Sequence, residues 1–199
     1  IRHCERREQQ KGGRTRLIGL GRLRFTDHDG EIRTRYFHNL TSFGLGGEVD
    51  ERVNNSGKKL GGFLSFIMAT LISLVRYEGK RIRLRVDDHF DEEVVVLNVA
   101  VANGQYHGGG MWVAPGADPS DGLFHVTIIG DLSLPEVFYY LPKLYNGKIL
   151  QVKQVRSLTG RKVEALSDER VLLDVDGEQP GCLPVNIEII PAVLRLLVP

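Results

Sequence analysis

The sequence predicts a mainly antiparallel β domain, sandwich-like in build, with about two helices. Three observations carry that expectation. Apolar and polar residues alternate in a series of short runs, the period-2 pattern of strands with one face in a core. Short polar turns separate the runs, which favours pairing between sequence neighbours. Twenty-three glycines in 199 residues exceed the usual share of about 7% and supply those turns. The chain is 42% apolar and 26% charged, which excludes disorder, a collagen-like fibre and a disulfide scaffold.

From Arg14 onward the elements follow in order. Leu20–Phe25 alternates, with Arg22 and Arg24 on one face and Leu23 and Phe25 on the other. Ile32–Phe37 alternates after Asp27-His28-Asp29-Gly30, an Asp-Gly loop that reads as a hairpin. Phe43-Gly44-Leu45-Gly46-Gly47 reads as a tight turn leading into a helix, since it lacks the Lys-Ser/Thr ending of a phosphate loop. Phe63, Phe66, Ile67, Leu71, Leu74 and Val75 recur at steps of three and four, so a broad apolar helix is expected over 60–77. The uncharged run there, 16 residues between Lys59 and Arg76, is short of the roughly 18–20 needed to span a bilayer.

Arg81–Val86 alternates strictly, as a half-solvated strand should. Val94–Ala102 is apolar except at Asn98, as in a strand buried on both faces. Asn103-Gly104 and Gly108-Gly109-Gly110 then break the pattern, and Phe124–Ile129 resumes it. Ser133-Leu134-Pro135-Glu136 is a helix start with Ser at the N-cap and Glu in the capping-box position. Val137, Leu141, Leu144 and Tyr145 form that helix's stripe, and Asn146-Gly147 ends it. Further strands are expected near 152–158, 162–167 and 171–175, and a last run over 186–198 is interrupted by Pro191.

The charges nearly cancel, with 26 basic and 25 acidic residues, so overall charge implies neither a nucleic-acid nor a membrane partner. Residues 1–25 are uneven, holding eight Lys/Arg against Glu5 and Glu8. A solvated basic face accounts for this, and attraction to phosphates of nucleotides or lipid headgroups is the sharper reading. Cys4 and Cys182 lie far apart and outside any CxxC motif, which points to a reducing compartment. The six histidines have no HExxH spacing, so no zinc site is expected. Ser42 and Ser120 lack a GxSxG context.

Two acidic turns stand out. Asp118-Pro119-Ser120-Asp121-Gly122-Leu123 could converge oxygen ligands on a hard cation or be turn chemistry alone. In Asp174-Val175-Asp176-Gly177-Glu178 the first two acids share a face if the segment is extended, with Glu178 just past the glycine. Such a group can supply a general base, or can be a hairpin turn with solvated acids. Asp87-Asp88 and Asp91-Glu92-Glu93, around His89, read as a solvated turn.

Taken together, Val101-Ala102-Asn103-Gly104-Gln105-Tyr106-His107-Gly108-Gly109-Gly110-Met111 and Ala114-Pro115-Gly116-Ala117-Asp118-Pro119-Ser120-Asp121-Gly122-Leu123 resemble the bacterial YegS-like lipid kinases of the diacylglycerol and sphingosine kinase superfamily. Asn39-Leu40-Thr41-Ser42-Phe43-Gly44 resembles that family's entry into its C-terminal domain. Asp176-Gly177-Glu178 resembles its acidic motif, and Ile190-Pro191-Ala192-Val193-Leu194 its last strand. The resemblance runs from about Arg14 to Pro199. It implies that 14–199 is the C-terminal domain of an α/β plus β two-domain lipid kinase, and that 1–13 is the remnant of the ATP-binding domain or a linker. The family's Gly-Gly-Asp-Gly-Thr nucleotide loop has no match in the chain, so nucleotide binding is expected on the other domain and the isolated fragment is expected to be inactive.

Residue by residue, the resemblance implies that Asp118, Asp121 and the Leu123 carbonyl ligate Mg²⁺. Glu178 would take the proton of the lipid hydroxyl as it attacks ATP. Asp176 would orient the motif or join a water–Mg²⁺ network. Asn103, Gly108 and Gly109 are the candidate substrate-binding residues, and the 60–77 helix is the candidate wall of an acyl cleft. The implied partners are a lipid and, transiently, the membrane surface, with no nucleic acid; a homodimer is left open. The implied location is cytoplasmic and peripheral to the membrane. The alternatives are a non-catalytic ligand- or membrane-binding β domain and an NAD kinase-like relative.

Overall fold

In a computed structural model of the chain, residues 14–55 and 77–198 are described. The helix expected over 60–77 lies outside them, apart from Tyr77. Twelve strands and two helices run through the described residues. The strands are β1 Arg14–Asp27, β2 Ile32–Phe37, β3 Leu40–Gly44, β4 Lys80–Val86, β5 Phe90–Ala102, β6 Tyr106–His107, β7 Met111–Trp112, β8 Phe124–Gly130, β9 Val155–Gly160, β10 Lys162–Leu166, β11 Leu173–Val175 and β12 Gly181–Val198. The helices are α1 Leu45–Asn55 and α2 Leu134–Tyr145.

All the pairings are antiparallel. The main sheet runs β11-β3-β5-β4-β10-β12-β1-β2, with β8 on the other edge of β5 and β9 beyond it. β5 is the pivot, because its first half pairs with β4 and its second half with β3 and β8. The two arms fold onto one core. Phe37 of β2 stacks on Phe124 of β8 at 5.7 Å, although their strands are not ladder neighbours. Leu23, Phe25, Phe43, Ile82, Leu84, Val99, Val126, Val163 and Ile187 belong to the same cluster. In β4, Ile82, Leu84 and Val86 are buried and Arg81, Arg83 and Arg85 exposed, as the alternation predicts. Gly21 of β1 is required by close approach: a Cβ there would lie 2.1 Å from the Phe37 ring.

Several elements differ from expectation for identifiable reasons. Leu40–Gly44 is a fully buried strand, hidden from pattern reading because neither face is solvated. Helix α1 starts inside the glycine-rich segment, at Leu45, and Asn98 of β5 accepts a hydrogen bond from the Gly46 N–H at 3.0 Å. The one polar residue of the β5 run thus satisfies an amide at a helix start. The strand expected near 152–158 begins only at Val155, after a 3-10 turn at Ile149–Gln151. Ile149 and Val152 instead pack with Val155, Tyr140 and Leu144. β12 continues through Pro191, whose region is a register irregularity against β1 between Ile18 and Leu20. A proline there removes no ladder bond.

Candidate functional site

A cavity of about 310 Å³ is lined by Ile18, His38, Asn39, Gly104, Pro119, Asp176 and Leu196. Four segments singled out in the sequence, distant along the chain, meet at its walls. The backbone ties them together. The N–H groups of Asn103 and Gly104 both donate to the Asn39 carbonyl at 2.8 Å, and the Gly19 N–H donates to the Pro119 carbonyl at 2.7 Å.

Asp176 organises the centre. Its carboxylate accepts the backbone N–H groups of His38, Asn39 and Leu40 at 3.0–3.2 Å, and His38 Nδ1 lies 2.8 Å from Oδ2. Those bonds hold the turn between β2 and β3 closed. They also hold Asp176 itself at φ +49°, a left-handed conformation costing a non-glycine residue roughly 1–2 kcal/mol. The Asp176 oxygens are thus taken up in holding the β2–β3 turn.

The three acids of this turn do not share one face. Asp174 is fully buried and accepts from Ser42 Oγ at 3.2 Å and the Gly177 N–H at 2.8 Å, with His107 Nε2 3.3 Å away. Val175 and Glu178 close the turn through reciprocal backbone bonds. Glu178 projects outward with its side chain 71% exposed and paired to Arg35 Nη1. The left-handed Asp176 and Gly177 break the extended geometry that would have aligned the acids.

Asn103 is buried, and its Nδ2 donates to the carbonyls of Gly19 at 2.9 Å and His38 at 2.8 Å. Its Oδ1 is buried, with no hydrogen-bond partner among the described residues. Asn103 therefore shapes the cavity from behind, stitching β1 to the β2–β3 turn. Gly108, Gly109 and Gly110 all take positive φ and form the turn of the β6–β7 hairpin, where Tyr106 stacks on Trp112 at 5.5 Å. Gly108 and Gly109 do not contribute to the cavity walls, but their hairpin adjoins them: Asn39 Nδ2 donates to the Tyr106 carbonyl at 3.0 Å.

The Asp118–Leu123 loop borders the cavity through Pro119. Both Asp118 oxygens accept from Arg16 Nη2 at 2.6 Å, and Oδ1 also accepts the Ser120 N–H at 2.9 Å and hydroxyl at 2.8 Å. The Ser120 bonds, with Arg16 beside them, hold the Asp118 carboxyl below the usual carboxylate range. Asp121 Oδ1 accepts the Leu123 N–H at 2.8 Å, and Oδ2 lies 3.8 Å from His125 Nε2. Among the described residues no group of three His, Cys, Asp or Glu side chains gathers as a metal cage. The donors are of the hard-oxygen kind that suits Mg²⁺, and the cation that holds Asp118 in this structure is the Arg16 guanidinium.

His38, Arg16 and Arg35 are the polar residues that sequence reasoning missed. Each acts through a partner more than 100 residues away, so no local spacing announces it. His38 precedes Asn39 of a recognised segment, and that adjacency was the only available signal.

The profile of the YegS C-terminal NAD kinase beta sandwich-like domain matches residues 39–198. A diacylglycerol kinase of Mycobacterium tuberculosis is 29% identical over 188 residues, 94% of this chain and 59% of that protein. A Staphylococcus aureus protein provisionally named a lipid kinase is 27% identical over 172 residues, 84% and 55% of the two chains. The chain thus spans a little over half the length of these curated relatives. The crystal structure of a Bacillus anthracis diacylglycerol kinase shares the fold, with a TM-score of 0.61 at 14% identity, covering 92% of this chain and 54% of that one.

Proposed function

The chain belongs to the YegS C-terminal NAD kinase beta sandwich-like domain family, and from that premise we propose that it is the acceptor-side half of an ATP-dependent lipid kinase. The observation that carries the reading is the meeting of Asn39, Gly104, Pro119 and Asp176, one from each of the four recognised segments, at one cavity, with Glu178 just outside its lining, two residues beyond Asp176. The curated relatives reported above carry lipid or diacylglycerol kinase names.

Phosphoryl transfer asks a protein for positioning and charge neutralisation more than for covalent chemistry. The division of labour we propose follows the hydrogen bonds. Asp176 fixes the β2–β3 turn and holds His38 at the cavity wall. Asn103 braces that wall. Glu178, whose exposed carboxylate has Arg35 as its one partner among the described residues, is the acid that takes the proton of an attacking hydroxyl. Ile18, Pro119 and Leu196 offer the apolar side of the cavity to the non-polar part of the acceptor. Asp118, Asp121 and the Leu123 carbonyl would hold Mg²⁺, which would neutralise phosphate charge when bound. No helix among the described residues is long and apolar enough to cross a membrane.

The test is phosphoryl transfer by the full-length protein from labelled ATP to 1,2-dioctanoylglycerol, phosphatidylglycerol, sphingosine, ceramide and NAD. Phosphorylation of one of the lipids is the expected outcome. Phosphorylation of NAD alone would move the chain to the NAD kinase reading, and binding of lipid without turnover would make it a non-catalytic module.

A further inference from the structure

Helix α2 buries none of its twelve residues, although it is rich in large apolar side chains. Tyr140 and, beyond it, Leu144 pack inward against Ile149, Val152 and Val155. Phe138, Tyr139 and Tyr145 are 47%, 76% and 54% exposed, and Pro135 and Pro142 are exposed beside them. Three of the chain's six tyrosines lie in this one helix. Spacings of three and four put Pro135, Phe138, Pro142 and Tyr145 on one stripe, with Tyr139 at its border. A protein core would not leave such a stripe wet, and scattered surface residues would not align.

The charge beside it is mainly basic, Asp131 ahead of the helix apart. Residues 132–155 hold Lys143, Lys148 and Lys153 against a single acid, Glu136. That acid is consumed internally, accepting the Ser133 N–H and hydroxyl at 2.9 and 2.6 Å and Gln154 Nε2 at 3.2 Å. Lys148 and Lys153 are exposed, and Lys143 Nζ lies 5.2 Å over the Tyr140 ring. Tyrosine and phenylalanine with flanking lysines are the side chains that settle at a bilayer's headgroup level, where rings are half wetted and anionic lipids attract the cations.

The helix also adjoins the candidate site. A Cβ at Gly147, just after α2, would lie 2.5 Å from the Trp112 ring. Trp112 stacks on Tyr106 of the hairpin, whose carbonyl is bonded to the cavity residue Asn39. A membrane against α2 would therefore lie beside the hairpin that borders the cavity.

We propose that the exposed aromatic face of α2, with Lys143, Lys148 and Lys153, docks the protein onto an anionic bilayer surface. The proposal takes its purpose from the lipid kinase reading but not its test. Sedimentation of the full-length protein with phosphatidylcholine vesicles, with and without 30% phosphatidylglycerol, is done without ATP, so docking is scored apart from turnover. Binding to the anionic vesicles is expected, weakening with salt. Phe138→Ser with Tyr139→Ser should lower partitioning on the order of tenfold, and alanine at the three lysines roughly fivefold per residue, with loss of salt dependence. Thermal melts identify variants that fail to fold, and Tyr145→Ser alone provides a milder change of the same face. Wild-type protein that stays off the anionic vesicles, or variants that bind as well as wild type, would overturn the proposal. So would light scattering showing a dimer that Phe138→Ser/Tyr139→Ser separates, which would make the face a contact between copies. A protein that docks as expected but phosphorylates no lipid would sink the kinase reading alone.

Discussion

Asp118 accepts hydrogen bonds from a residue two positions away, Ser120, and from the exposed side chain of Arg16 in β1, 102 residues back along the chain. Asp176 accepts its bonds from His38, Asn39 and Leu40, 136–138 residues back along the chain. In composition the two turns are alike, two acids near a glycine in the first and three in the second. The first lies at the surface, with its carboxylates 43% and 33% exposed. The second is woven into the fold, with Asp174 at 0% and Asp176 at 22%. The difference separates two uses of an aspartate. In one it finishes a loop, and in the other it holds two distant strands in the relation a cavity needs. Only Glu178, beyond the left-handed Asp176 and Gly177, leaves the interlocked turn for solvent.

The largest effect expected from breaking this contrast is on turnover. In the full-length protein Glu178→Gln should lower turnover by about 10²–10⁴-fold if Glu178 is the general base. The melting temperature should barely move, because the side chain is exposed and, among the described residues, pairs only with Arg35. Steady-state kinetics with a thermal melt decide it. Near-normal turnover in Glu178→Gln, with loss in a folded Asp176→Asn, would exchange the two roles.

The next effect is on stability and belongs to Asp176. Asp176→Ala strips the acceptor from three backbone N–H groups, at a cost of about 2–4 kcal/mol. Asp176→Asn should cost less, since an amide oxygen can still take two of those bonds and asparagine tolerates the left-handed backbone. Urea unfolding of the three proteins reads the order, and an Asp176→Ala variant as stable as wild type would remove the organising role. Gly177→Ala probes the same turn more gently. Nothing among the described residues lies within 4 Å of the added Cβ, but φ is +88°, so about 1 kcal/mol is expected from backbone strain alone.

The contrast also explains what the sequence could reveal. The strands with one wet face, such as Arg81–Val86 and Leu20–Phe25, were legible because alternation records burial directly. Leu40–Gly44 was not, since every residue is buried and the pattern has no polar beat. The four segments of the candidate site were legible as a resemblance, while their partners were not. Arg16, Arg35 and His38 look like ordinary surface residues until folding brings Asp118, Glu178 and Asp176 to them. The expected alignment of Asp174 with Asp176 assumed an extended chain, and a positive φ at a non-glycine residue is a tertiary outcome that composition does not announce.

The smallest effect belongs to the exposed turn. Asp118 and Arg16 are each nearly half exposed, so water and salt screen their attraction, and Asp118→Asn should cost less than about 1 kcal/mol at neutral pH. The pH dependence has a definite sign. Because the folded carboxyl is held below its usual range by Ser120 and Arg16, its contribution is present above the unfolded value near 4. It is lost as pH falls through the lower folded value. The stability gap between wild type and Asp118→Asn should therefore close as pH falls below about 4, and a gap that widens there would contradict the assignment. Arg16 makes the same loop a test of cation binding. If Asp118, Asp121 and the Leu123 carbonyl take Mg²⁺, the metal must displace a guanidinium 2.6 Å from both Asp118 oxygens. Arg16→Gln should then raise Mg²⁺ affinity by at most about fivefold, the equivalent of one exposed ion pair, and Asp118→Asn should lower it. Calorimetric titration with Mg²⁺ reads both variants, and an affinity that neither substitution moves would leave the loop as turn chemistry alone.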